Sequence, residues 1–308
     1  MINTVTGAIT RDQLGPTYLH EHVIIDSPIV AEQMPHISLP NVFDAVVELH
    51  DCYSRGLRTM VDCMPGQSGR NLTKLRDVSL RSKINIIAAT GMHNPKYYSA
   101  NHSYLTMSSN ELAQIFIEEL TIGAESTSIK CGIIKIFTLG EGLRDLEKRL
   151  FEAAAETHLN TGAPIVTHCE DGEGALSQIN FLDKLGIPLG RVVLSHTDKV
   201  TDLGYHRELW NSGVNLEYDQ GLRQKNQDSP FSAQLTLSMV ADGFIKQLML
   251  GTDGARRTLW RSLGGEPGLD YLLSGWSQRL RELGLTDQQL NQIFIDNPAQ
   301  FLEMASLS

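Results

Sequence analysis

Short apolar runs rich in Val, Ile and Leu recur along the chain, each followed by a longer stretch whose apolar residues fall three or four apart. Runs of the first kind fit strands buried on both faces. The second kind fits amphipathic helices packed along one side. The pattern predicts strands over residues 18–25, 58–63, 84–90, 132–137, 164–168, 191–196, 213–218 and 247–252. It predicts helices over 42–55, 72–82, 109–123, 143–161, 174–185, 203–211, 231–242, 269–283 and 287–304. The punctuation is clear at 161–164, where Thr161 and Gly162 close a helix and Pro164 opens the next strand. Residues 94–108 read as a structured loop, because Pro95, Tyr97, Tyr98 and Tyr104 give it groups to pack.

Strands that alternate with helices pair in parallel, since each helix carries the chain back across the sheet. Eight such units close into an α/β fold of the TIM (β/α)8 barrel type, whereas five or six would leave an open sheet. The 308 residues suit one such domain over 1–308, and no linker, solenoid repeat or low-complexity run divides them. At 41% hydrophobic and 20% charged, the chain can bury a core without cross-links.

A net charge of −10 argues against nucleic acid or an anionic membrane as a partner. No apolar stretch approaches the ~20 residues of a membrane span. The first ten residues lack the basic-then-apolar pattern of a signal peptide, so a cytoplasmic protein is expected. Cys52, Cys63, Cys131 and Cys169 form no C-x-x-C pair and read as free thiols. Trp210, Trp260 and Trp276 are candidates for a homodimer interface as well as for the core.

The chemistry concentrates at predicted strand ends. His20 and His22 lie two apart on the first strand, so their side chains share a face. His168 ends the fifth strand, His196 the sixth, and Asp253 follows the eighth. Barrel enzymes gather their active residues at this end of the strands. Four imidazoles and a carboxylate converging there would be costly to bury without a shared ligand, and together they suit zinc or a similar divalent ion. Lys135 lies inside an otherwise apolar fourth strand. A bare ammonium there is expensive and would repel a cation. Reaction of the neutral amine with CO2 gives a carbamate, an anion with two oxygens that can bridge two metals. The competing reading pairs Lys135 with an Asp or Glu. Cys169 points to the opposite strand face from His168, so a cysteine nucleophile is not favoured.

The ordered set of His-x-His, strand-four Lys, His, His and Asp resembles the amidohydrolase superfamily, and most of all its phosphotriesterase-related, lactonase-like branch. The matching segments are 18–23, 131–135, 161–168, 195–198 and 251–253, and the likeness spans about 17–302. It implies a binuclear hydrolase in which His20, His22 and Asp253 hold the more buried ion and His168 and His196 the more exposed one. Carboxylated Lys135 and a hydroxide would bridge them. The metals would be zinc, or else manganese, cobalt or iron. Lys135 and Asp253 are the expected catalytic residues, with Asp253 accepting the proton of the attacking water.

For substrate, the resemblance points to a lactone or carboxylic ester, in particular a small polar or phosphorylated sugar lactone. Arg223, Arg256 and Arg257, with Lys225 nearby, would supply an anion clamp, and Tyr98 or its neighbour Tyr97 would contact the carbonyl. Phosphotriesterase or other organophosphate or carboxylesterase activity is the alternative. Outside that class stand a non-catalytic ligand-binding barrel and a single-metal deaminase. The bridging lysine argues against the deaminase.

Overall fold

The computed structural model describes residues 1–305. A short antiparallel hairpin opens the chain, with strands β1 (Ile2–Thr4) and β2 (Gly7–Ile9), which the hydrophobic pattern did not predict. Eight further strands follow: β3 (Thr17–Glu21), β4 (Thr59–Asp62), β5 (Asn85–Gly91), β6 (Ile133–Thr138), β7 (Ile165–Cys169), β8 (Val192–Ser195), β9 (Asn215–Tyr218) and β10 (Leu248–Leu250). They pair in parallel and in chain order from β3 to β10. The Asp253 N–H donates to the His20 carbonyl at 3.0 Å and draws the two edges together. The Glu21 carboxylate joins in, accepting the Thr252 N–H at 2.7 Å where a backbone carbonyl would ordinarily serve. The fold is therefore the expected (β/α)8 barrel.

Helices such as Val42–Ser54, Leu72–Ser82, Ser109–Thr121 and Asp145–Thr161 wrap the sheet. Their starts carry local signals. Asn41 accepts the Phe43 N–H, Asn71 accepts the Lys74 N–H, and Ser108 forms a reciprocal capping box with Glu111. Gly162 ends the longest of these helices at φ +70°, a conformation that glycine adopts freely.

Two apolar layers result. Most of the core lies between the strands and the helices. A second layer fills the barrel, with Leu19, Val61, Ile87, Ile133, Val166, Val193 and Met249 supplied by every barrel strand except β9. On β9, Leu216 and Tyr218 join the outer layer, so strand alternation turns Asn215 and Glu217 inward. The same alternation carries Lys135 into the barrel, two residues above Ile133.

Two expectations need correction. The helix predicted over 269–283 is a 3-10 turn, Leu269–Leu272, followed by a helix, Gly275–Glu282. The Leu269 N–H donates to the Glu48 carboxylate at 2.8 Å and so stays outside any helical ladder. The helix predicted over 287–304 is broken into Asp287–Asn291, a π-turn over Gln292–Asp296, and Asn297–Leu302. Pro298 has no N–H to continue the ladder, and the wider π-turn absorbs the defect. Of the two readings open for Trp210, Trp260 and Trp276, the core is the one the structure takes, since all three are fully buried. All four cysteines are free and buried, as expected. Among the described residues, no helix is long and apolar enough to cross a membrane.

Candidate metal centre

At the C-terminal mouth of the barrel the six residues singled out from sequence come together. Lys135 Nζ is wholly buried, and its hydrogen-bonding neighbour is His20 Nε2 at 3.4 Å. His22 Nε2 lies 3.5 Å from Asp253 Oδ1. The His20 and His196 rings are 4.6 Å apart, and those of His196 and His168 are 4.5 Å apart. Candidate ligand atoms of His20, His22 and Asp253 all lie within 4.8 Å of one another. A register shift between Tyr18 and Glu21 lets β3 turn both Leu19 and His20 into the barrel. Gly91 makes room at the neighbouring strands, because a Cβ there would sit 1.9 Å from the Lys135 carbonyl oxygen.

His196 and Asp253 adopt left-handed backbone at φ +68° and +43° just past the ends of β8 and β10. Such backbone costs about 1–3 kcal/mol per non-glycine residue and persists where a site demands it.

The electrostatics suit cation binding. Burial favours the neutral form of His20, His22 and His168, which leaves each a lone pair on one ring nitrogen. Burial and the Lys135 charge push His20 far below its ordinary range. Burial brings His22 down to about 4, against the pull of Asp253. Burial and His196 bring His168 down to about 3. Burial by itself would raise Asp253, but Arg223, with Nη2 3.0 Å from Oδ2, outweighs it and keeps the carboxylate charged. Unsatisfied polar atoms mark the same place. His20 Nδ1, His22 Nδ1 and both Glu217 oxygens are buried without a hydrogen-bond partner. Buried polar atoms seldom remain so unless something else completes the site. The donor set of neutral imidazoles, a carboxylate and a buried amine thus fits divalent cations.

A polar cleft of about 510 Å³ opens over this cluster, lined by His22, His168, His196 and Asp253. Arg256 lines it too. Arg223 reaches it, but both of its Nη atoms are committed: they donate to the carbonyls of Asp219, Thr252 and Asp253 at 3.1, 2.8 and 2.8 Å and to Asp253 Oδ2. Arg257 turns away and donates to the Ser38 carbonyl at 2.9 Å. Lys225 pairs with Glu266 at 3.0 Å. Of the two tyrosines, Tyr97 lines the cleft. The Tyr98 hydroxyl lies behind the wall, where it accepts the His93 N–H at 3.1 Å.

The sequence profile of the Phosphotriesterase family matches residues 1–302. The chain belongs to the phosphotriesterase family. It is 30% identical to the phosphotriesterase homology protein of Escherichia coli, covering 95% of this chain and 99% of that protein. It is 28% identical to a phospho-furanose lactonase of Mycoplasmopsis synoviae over 97% of this chain and 90% of the other. The crystal structure of a lactonase from Listeria monocytogenes superposes with a TM-score of 0.91 at 26% identity, covering 99% of each chain. Family membership carries the enzyme class with it, a metal-dependent hydrolase.

Within this family frame, several residues of the site escaped the sequence reading. Asp219 Oδ2 accepts from His196 Nδ1, and Glu217 Oε2 lies 3.6 Å from His20 Nδ1. Burial, with Asp219 and Asp198 nearby, raises the Glu217 carboxyl well above its usual range. Asp198 is raised to about 7 by burial and by Asp219. The legible signal ran along β9 and one residue past it, where Asn215, Glu217 and Asp219 alternate with Val214, Leu216 and Tyr218. His93 was also missed. It lines the cleft, its ring 5.2 Å from that of His168. Lys96, Lys199 and His36 complete the basic lining.

Proposed function

We propose that the chain, acting as one domain, is a binuclear hydrolase that opens small polar lactones or carboxylic esters, with phosphorylated sugar lactones the leading class. The observation that carries this reading is the convergence at the barrel mouth of four imidazoles, Asp253 and a buried Lys135, beneath a polar, basic cleft. His20, His22 and Asp253 would hold one ion and His168 and His196 the other, with Lys135, carboxylated by CO2, joining them. Two such ions, zinc or one of its divalent substitutes, would lower the pKa of water and polarise the ester carbonyl.

The protein's own groups do the rest. Asp253 Oδ2 is held by Arg223, which leaves Oδ1 as the atom placed to accept a proton and release it to the cleft. His196 is oriented by the Asp219 carboxylate at Nδ1, and His168 Nε2 meets Glu170 at 2.7 Å. Tyr97 and Arg256 face the substrate space, Arg256 as the anion contact. The charged lining, with Lys96, Lys199 and Asp171 beside these groups, suits a polar substrate better than a bulky aryl triester. Names of relatives point the same way, since one acts on phospho-furanose lactones.

The test is turnover of sugar lactones and their phosphates by metal-loaded protein, against simple triesters and amides. Turnover of the lactone set is the expected result. Fast triester or amide hydrolysis without lactone turnover overturns the substrate assignment.

A further inference from the structure

Glu217 is an anomaly in the barrel interior. Every other barrel strand places an apolar residue in the inner layer, whereas β9 places a carboxyl there, fully buried and with neither oxygen hydrogen-bonded. Burial of a carboxyl without a partner is costly, so a packing role alone does not account for it. A glycine lets the neighbouring backbone pass close to it. A Cβ at Gly251, just past the end of β10, would sit 2.6 Å from Glu217 Oε1 and 2.8 Å from the His20 backbone. Across the sheet Glu217 pairs in register with Ser195, the residue before His196.

Its neighbour is His20, whose two ring nitrogens face different groups. Nε2 points to Lys135 Nζ at 3.4 Å, and Nδ1, otherwise unpartnered, points to Glu217 Oε2 at 3.6 Å. With Lys135 Nζ as the donor, Nε2 is the lone-pair nitrogen and Nδ1 carries the proton. That proton faces the Glu217 carboxyl. The geometry points to Glu217 as a positioning residue that accepts the Nδ1–H of His20 and thereby presents the Nε2 lone pair to a cation. Asp219, the residue after β9, faces His196 Nδ1 in the same way, so this strand and its end support two imidazoles with alternate residues. Such outer partners fix the tautomer and ring angle of a ligating histidine. The inference rests on the metal-centre reading above.

The test compares Glu217→Met, which keeps the volume and removes the acceptor, with Glu217→Gln, which keeps an acceptor oxygen. Metal-stripped protein is titrated with Zn2+ against a chelator, thermal midpoints are recorded without metal, and long-range 15N NMR reads the His20 tautomer in the native, metal-free protein. Glu217→Met is expected to weaken Zn2+ binding by about 10–100-fold, with no loss of metal-free thermal stability. Glu217→Gln should stay within roughly threefold of native, because the acceptor survives. His20 should carry its proton on Nδ1. Native Zn2+ affinity in Glu217→Met overturns the inference and leaves the metal reading standing. A proton on His20 Nε2 also overturns it, and this readout decides the matter should Glu217→Met fail to fold. Native protein that binds no Zn2+ brings down the metal reading and this inference together.

Discussion

Replacing Arg223 with methionine separates two roles for this residue. Its sequence position, in a basic loop after a barrel strand, suggested a substrate clamp. In the structure Nη1 donates to the Asp219 and Thr252 carbonyls and Nη2 to the Asp253 carbonyl and carboxylate. Each Nη carries two hydrogens, so those four bonds leave only Nε to meet a substrate. Removing the guanidinium breaks a pair with side chains 20% and 19% exposed and strands three carbonyls. Charge-assisted hydrogen bonds contribute about 1.5–3 kcal/mol each in net terms. Taking the low end, and discounting for exposure and for water replacing some partners, the loss is about 3–4 kcal/mol. For a barrel of this size that corresponds to a fall in Tm of roughly 5–6 °C. Asp253 loses its anchor at Oδ2, so kcat/KM should fall on the order of 10²-fold for phosphorylated and neutral lactones alike. The assay pairs a thermal melt with kinetics on both substrate forms. An unchanged Tm with losses confined to phosphorylated substrates would refute the reasoning and restore the clamp.

Arg256→Ala should behave oppositely: a loss of about 10–100-fold in kcat/KM on phosphorylated lactones, little change on neutral ones, and an unaltered melt. Equal losses on both substrates remove Arg256 from phosphate binding. Lys135→Met should abolish binding of a second equivalent of metal, measured by elemental analysis. Native protein reconstituted with 13C-bicarbonate should show a carbamate carbon signal that the variant lacks. A native spectrum without that signal refutes carboxylation. In metal-stripped protein the His22 ring should titrate by NMR near pH 4. The unfolded imidazole already binds a proton at its ordinary value of 6.5. His22 therefore favours the fold fully above that pH, and its contribution shrinks steadily as pH falls toward 4. A midpoint near 6.5 would show that burial does not govern this group.

The linear pattern determined the alternation of strands and helices, hence the barrel, because each strand must bury both faces and each helix only one. It also made His20, His22, Lys135, His168, His196 and Asp253 stand out as a group. Imidazoles, a lysine and a carboxylate at the ends of apolar runs are conspicuous against their local background. Tertiary structure alone decided which basic residues were free. Arg223 is consumed by carbonyls and a carboxylate, Arg257 by the Ser38 carbonyl, and Lys225 by Glu266, partners that no local spacing reveals. The structure likewise chose Tyr97 over Tyr98, since a one-residue difference on a 3-10 turn reverses which ring meets the cleft. It also exposed Glu217 and Asp219, whose significance lies in facing His20 and His196 across the barrel. Sequence periodicity reports which face a residue occupies, while contacts between strands far apart in the chain exist only once the sheet has closed.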